Sequence, residues 1–185
     1  MNNFIKFFFD RIFSLILILL LLPVFIIIII FNYILQGKPI FFCQKRLGQY
    51  GKSFNMIKFR TMKAGPSISA SDDEERLTSF GRLLRKFSID ELPTLINVLK
   101  FEMSIVGPRP MPIKYLDRFS KIHIRRLNVL PGITGLLQIN ERNTNEFSVW
   151  YKYDSEYIEN WSLLLDLQII FKTPVAIFRS KIVGK

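Results

Sequence analysis

The sequence predicts a mixed α/β protein, mostly helical with short strands, anchored to a membrane by an N-terminal apolar segment that a proline interrupts. Three observations predict it. The 26 residues from Ile12 to Gly37 carry no charge and are nearly all Ile, Leu, Phe or Val as far as Leu35, which is too long and too apolar for a core helix. The rest of the chain alternates short strand-like runs with segments of helical periodicity. The 185 residues hold 26 Lys and Arg against 15 Asp and Glu, a formal net charge of +11, so an anionic partner is expected.

The same composition excludes several classes. One cysteine rules out an internal disulfide framework, and one histidine, His123, rules out His-clustered zinc sites and weakens any Ser-His-Asp arrangement. A cleaved signal peptide is not expected, because the apolar run exceeds a normal h-region and no small-x-small site follows it.

Pro23 lies near the centre of the apolar run. It removes a backbone donor and clashes with the preceding turn, so the run divides into two legs, neither long enough to cross a hydrocarbon core of about 30 Å alone. Two arrangements fit: a kinked spanning helix, and a re-entrant hairpin with both ends on one face. Lys6 and Arg11 before the run and Lys38, Lys45 and Arg46 after it suit the hairpin. The expected division is a membrane segment over 1–37 and a compact mixed α/β domain over 38–185.

Within that domain Pro39 to Cys43 and Phe54 to Met62 read as strands, joined by a tight turn at Gly48 to Lys52. Gly65 to Glu75, with acids at Asp72, Asp73, Glu74 and Glu75, reads as a solvated loop rather than a cation site. Helices are expected over Leu77 to Phe87 and Asp90 to Lys100. In the second, Leu92, Leu95, Ile96 and Leu99 share one face. Ser88 and Glu91 form an S-x-x-E capping pattern, and Pro93 suits a first turn.

Asp90 and Glu91 are therefore expected beside the positive end of a helix. Either they complement the dipole, or one is a nucleophile while its neighbour holds a divalent cation. Adjacent carboxylates raise each other's pKa, so an ionised nucleophile there needs cations close by. Met103 to Val106 reads as a strand, followed by Gly107-Pro108-Arg109-Pro110. The two prolines stiffen a loop that either is a plain turn or presents Arg109 to a phosphate. Lys114 to Arg126 is a helix-like basic stretch facing solvent, membrane or substrate. The aromatic stripe of Trp150, Tyr153, Tyr157 and Trp161 is either core or interfacial belt. Leu163 to Phe178, interrupted at Pro174, reads as a helix lying at a membrane interface.

Several strings in order resemble the bacterial sugar transferase family, whose small members are monotopic polyprenyl-phosphate phosphoglycosyl transferases. They are Lys58-Phe59-Arg60-Thr61-Met62, Phe80-Gly81 to Arg85, Ser88-Ile89-Asp90-Glu91-Leu92-Pro93, Asn97 to Lys100, Met103 to Pro110, and Pro131-Gly132-Ile133-Thr134-Gly135. The resemblance covers nearly the whole chain. It implies a re-entrant hairpin broken at Pro23, in a monotopic protein of the bacterial inner membrane with its catalytic domain on the cytoplasmic face and in contact with phospholipid.

It also implies a ping-pong reaction. Asp90 would take a phosphosugar from a UDP-sugar, releasing UMP, and pass it to a polyprenyl phosphate such as undecaprenyl phosphate, in the first membrane step of glycoconjugate assembly. Glu91 would hold Mg²⁺, while Lys58, Arg60, Arg85, Arg109, Arg142 and Asp166 match the family's substrate-binding positions. The sequence departs from the family at Leu22, commonly Ser, and at Glu141, commonly Gly beside the arginine. No helix-turn-helix, RNP or zinc pattern supports nucleic-acid binding, and a non-catalytic anchor leaves the acid pair and the Arg109 loop unexplained. The resemblance selects neither the sugar nor the oligomeric state.

Overall fold

A computed structural model describes residues 4–63, 65, 74–119, 123–141, 144 and 146–183. The expected acids Asp72 and Asp73 and most of their loop lie outside the described residues, as does Arg142.

The apolar segment forms two helices, α1 (Phe4–Leu20) and α2 (Leu22–Gln36), bent by 61° at their junction. Pro23 stands in the first turn of α2, where its missing N–H has no intrahelical partner to lose. Leu21 precedes it with no side-chain cap, so Leu22 contributes no hydroxyl at the break. Among the described residues no single helix is long and apolar enough to cross a membrane; this bent pair is the one candidate.

Both far ends of the pair are tied to the rest of the chain. On α1, Lys6 Nζ donates to Asp166 Oδ2 at 2.6 Å, Ser104 Oγ donates to Asp10 Oδ2 at 2.6 Å, and Ser14 Oγ donates to the Leu95 carbonyl at 2.8 Å. All three α1 side chains are buried. At the end of α2, Arg60 donates to the carbonyls of Gln36, Gly37 and Lys38, the last at 3.0 Å. Asn32 donates to Ile40 O at 3.3 Å. The outer faces of α1 and α2 stay exposed and apolar, with Phe8, Leu19, Ile27 and Ile34 each at least half accessible.

Strands β1 (Phe41–Leu47) and β2 (Ser53–Phe59) pair antiparallel from Phe41↔Phe59 to Leu47↔Ser53. Their turn is closed by a 3-10 segment at Gln49–Gly51, where Tyr50 and Gly51 take positive φ. Helix α3 (Ser79–Lys86) is capped by Thr78, whose side chain accepts from Gly81 N at 2.9 Å. A Cβ on Gly81 would lie 2.0 Å from the Thr61 carbonyl oxygen, so only glycine lets α3 approach this closely.

One expectation is corrected here. The helix predicted from Asp90 begins four residues later, as α4 (Thr94–Leu99), with Pro93 at its N-cap. Ser88 takes a left-handed conformation (φ 57°) and makes no capping bond, and Ile89–Glu91 form a 3-10 turn. Proline suits only the beginning of a helix, so α4 starts around Pro93 and leaves the acids outside it. Asn97, fully buried on α4, then knits that helix to β2 by accepting from Ile57 N at 3.0 Å and donating to Asn55 O at 2.8 Å.

Strand β3 (Ser104–Val106) runs parallel to β4 (Gly132–Thr134). Between them Ile113–Arg118 and His123–Asn128 are 3-10 segments rather than the single helix expected there. Helices α5 (Leu136–Asn140), α6 (Phe147–Glu159) and α7 (Leu163–Val183) complete the chain. The main core joins Phe54, Met56, Leu95, Val98, Met103, Val106, Tyr157 and Ile169, and α1 closes it through Leu17 and Ile18. Tyr157 is therefore core, whereas Trp150, Tyr153 and Trp161 are half-buried. On α7, Leu164, Phe171, Val175 and Phe178 are exposed.

Candidate active site

Four consecutive residues of the Lys58–Thr61 string do four different things. Lys58 points to Glu91, with Nζ 2.6 Å from Oε1. Phe59 enters a second core with Phe25, Ile28 and Leu84. Arg60 clamps the end of α2, and Thr61 Oγ1 accepts from Arg85 Nε at 3.0 Å. Strand alternation and the turn after β2 distribute them, so one short string connects the α1–α2 pair to the acidic pair.

Glu91 is held from both sides. Besides Lys58, Arg109 Nη2 lies 3.2 Å from the same Oε1. The loop carrying Arg109 is fixed by its neighbours: a Cβ on Gly132 would lie 2.0 Å from Gly107 N, and Gly132 N donates to Pro108 O at 2.9 Å. This close approach explains the glycines of the Pro131–Gly135 string. Arg126 Nη2 donates to the Arg109 carbonyl at 2.6 Å and is itself paired with Asp154 at 3.2 Å. Burial pushes the Asp154 carboxyl up to about 6, against the pull of Arg126.

Asp90 is buried beside Glu91. Burial raises its pKa and the Glu91 carboxylate raises it further, while Lys58 and Arg85 act in the opposite direction. The cations beside the acids thus come from β2, α3 and the Arg109 loop. The six-residue α4 contributes no helix-dipole site of the kind the capping pattern suggested.

Two arginines that sequence reasoning did not single out as site residues belong to this assembly. Arg46 Nη1 donates to Pro110 O at 3.0 Å, and burial together with the nearby Arg109 charge lowers its pKa to about 10. Arg126 holds Arg109 from behind. Their signals in the sequence were a basic flank and a basic stretch, neither of which names a partner.

The structure brings Lys58, Arg85, Asp90, Glu91 and Arg109 together. Two expected substrate residues are engaged elsewhere. Arg60 is buried against the carbonyls at the end of α2. Asp166 is buried in a network with Lys6, with Tyr157 (2.8 Å) and with Trp161 (3.1 Å), none of which belongs to the acidic–basic cluster. Neither placement supports a substrate contact, because burial and these partners already account for the charge. Tyr157 stays protonated, since burial and the Asp166 carboxylate both raise its pKa.

Glu91 and Arg109 also stand on the wall of a cleft of about 390 Å³ that runs between α1 and α7, lined by Leu17, Ile105, Ile133, Ile170, Thr173 and Ile177 among others. Asp90 is not one of its lining residues. Among the described residues no group of three or more His, Cys, Asp or Glu is placed to hold a metal. The Glu91 carboxylate, a hard oxygen donor, still fits a cation such as Mg²⁺, which commonly takes one or two carboxylates and completes its shell with phosphate oxygens and water.

Paired carboxylates, cations from three elements and an adjoining apolar cleft define a site suited to phosphoryl chemistry on a partly apolar substrate. The family model for bacterial sugar transferase matches residues 1–180, and the chain belongs to that family. It is 48% identical over 139 residues to an uncharacterized sugar transferase, EpsL, of Bacillus subtilis, covering 74% of this chain and 69% of that one. It is 38% identical to the UDP-glucose:undecaprenyl-phosphate glucose-1-phosphate transferase of Xanthomonas campestris, over 93% of this chain and 38% of the relative. It is 34% identical to the undecaprenyl-phosphate galactose phosphotransferase of Salmonella typhimurium, over 96% of this chain and 41% of the relative. The chain thus spans less than half the length of these two relatives with named activities.

Proposed function

We propose that the protein transfers a sugar phosphate from a UDP-sugar to a polyprenyl phosphate, undecaprenyl phosphate being the acceptor in the names of two relatives. The observation that carries this reading is the buried Asp90 beside a Glu91 gripped by Lys58 and Arg109, at the wall of an apolar cleft. An Asp90 carboxylate oxygen attacks the β-phosphorus, and the bond from that phosphorus to the bridging oxygen breaks, releasing UMP. The phosphosugar remains on Asp90 as an acyl phosphate. An oxygen of the polyprenyl phosphate then attacks the same phosphorus, the bond to Asp90 breaks, and the carboxylate is regenerated.

Lys58, Arg85 and Arg109 neutralise the diphosphate, and Lys58 and Arg85 lower the pKa of Asp90 against the effect of its burial. Arg142 joins them in this reading by its position in the sequence. Glu91 would hold Mg²⁺, which supplies charge neutralisation on phosphoryl oxygens.

The reading places the α1–α2 pair in the cytoplasmic leaflet of the inner membrane as a re-entrant hairpin. What supports this is that Lys6 and Asp10 at one end, and Asn32 and the Arg60 clamp at the other, are tied to one domain. With 17- and 15-residue legs and a 61° bend, a symmetric hairpin enters the bilayer to about 12 Å. The exposed apolar face of α7 would rest on phospholipid beside it.

The test is a half-reaction. Full-length protein given UDP-sugar and Mg²⁺ without acceptor should release about one equivalent of UMP and retain labelled sugar phosphate. Polyprenyl phosphate should then discharge the label to lipid. Asp90→Asn should lower turnover at least about 10³-fold; retention of the covalent label by that variant would refute the nucleophile assignment.

A further inference from the structure

Among the described residues, the cleft wall contains a polar side chain whose hydrogen-bonding capacity is left unused. Gln138, on α5, is 8% exposed and lines the cleft with Glu91 and Arg109, and neither its Oε1 nor its Nε2 has a partner among the described residues. A buried carboxamide without partners is unfavourable unless a ligand or water completes it. The neighbouring hydroxyls do not serve, since Thr134 Oγ1 and Thr173 Oγ1 pair with each other at 2.7 Å. The glycine at 135 leaves room for the group: a Cβ there would lie 2.9 Å from Gln138 Oε1.

The chemistry of a carboxamide narrows what it can recognise. Nε2 donates and Oε1 accepts. An isoprenyl chain offers neither complement, and ionised phosphate oxygens only accept, which would leave Oε1 unmet. A hydroxyl or a secondary amide satisfies both atoms; the sugar carries such groups, and so does the uridine of the donor, which the comparison of UDP-sugar with UDP below separates from it.

We propose that Gln138 is a specificity-determining residue that hydrogen-bonds the sugar of the donor, so that the transferred sugar sits in the cleft beside the apolar wall of Ile105 and Ile133. This rests on the transferase reading above. It places the specificity contact on α5, in the cleft whose wall Arg109 shares, whereas Lys58, Arg85 and Arg109 meet the diphosphate.

The test uses the full-length chain in lipid nanodiscs, with two readouts: UMP release across a panel of UDP-sugars, and binding of UDP-sugar against UDP in an Asp90→Asn background. Gln138→Leu removes both polar atoms at similar volume, and Gln138→Met serves should the leucine variant not fold. The variant should lower kcat/KM for the preferred sugar by about 10- to 100-fold, narrow the spread between sugars, and leave the KM for polyprenyl phosphate unchanged. The tighter binding of UDP-sugar over UDP should disappear with it. An equal loss for every sugar, a raised KM for polyprenyl phosphate, or unchanged kinetics would overturn the proposal. A protein that discriminates UDP-sugar from UDP through Gln138 yet forms no lipid-linked product would refute the transferase reading alone.

Discussion

Two regions of this molecule pair carboxylates with cations, and they do so to different ends. In the network under α1, Asp10 and Asp166 share Lys6 and are completed by Ser104, Ile105 N, Tyr157 and Trp161. Asp90 is as deeply buried, and burial raises its pKa as it does that of Asp10; the difference lies in the partners, since Asp10 accepts from Ser104 and Ile105 N, whereas Asp90 accepts from its own backbone and stands between Glu91, which raises its pKa further, and Lys58 and Arg85, which lower it. A buried ion pair completed by hydrogen bonds holds elements in place, whereas a buried carboxylate set beside a like charge has the perturbed environment of a candidate functional group. The first network fastens the α1–α2 pair to the rest of the chain; the second is the candidate site.

Substitution should separate the two. Asp90→Asn, the change with the largest expected effect on activity, should leave the unfolding temperature unchanged or raised, because it removes a carboxylate that burial disfavours. Lys6→Met should do the reverse. Stranding Asp166 without its cation should cost about 3–5 kcal/mol of stability, measured by thermal unfolding in detergent, and the chemistry should persist in the folded fraction. Equal stability losses for both variants would erase the distinction.

A smaller effect is expected at the edge of the reactive cluster. Lys58 lowers the Asp90 pKa, so Lys58→Met should move the acid limb of the pH–rate profile to higher pH, in addition to slowing turnover. A limb that stays in place would show that Asp90 ionisation does not govern it.

The smallest effect lies at the Arg126–Asp154 pair that supports Arg109. The folded pKa of Asp154, about 6, exceeds the unfolded value of 3.8, so the folded state binds more protons and stability contributed by this group grows as pH falls through 6 toward 3.8. The difference in unfolding temperature between wild type and Asp154→Asn should therefore shift in favour of wild type from pH 7 to pH 5. A difference independent of pH would contradict the assignment.

Much of this was legible in residue order. The apolar run, its break at Pro23, the β1–β2 hairpin with its turn, and the Asp90-Glu91 pair near Arg85 and Arg109 all follow from local rules of length, periodicity and backbone stiffness. The roles of individual charges did not follow. Arg60 sits two residues from Lys58 in a string of basic character, yet one meets Glu91 and the other caps α2. Asp166 looked like a site acid and is a buried partner of Lys6. Arg46 and Arg126 looked like ordinary basic residues and fix the Arg109 loop.

The sequence by itself determined where the chain is apolar, where it must break, and which residue types are available for chemistry, because those properties depend on neighbours within a turn or a strand. Only the tertiary structure decided which carboxylates are completed by Lys6 and which stands beside Glu91, that both ends of the α1–α2 pair are held by one domain, and that Gln138 lines the cleft without a partner among the described residues. Those outcomes depend on atoms brought within about 3 Å from elements as distant as Lys6 and Asp166, and no local pattern encodes that distance.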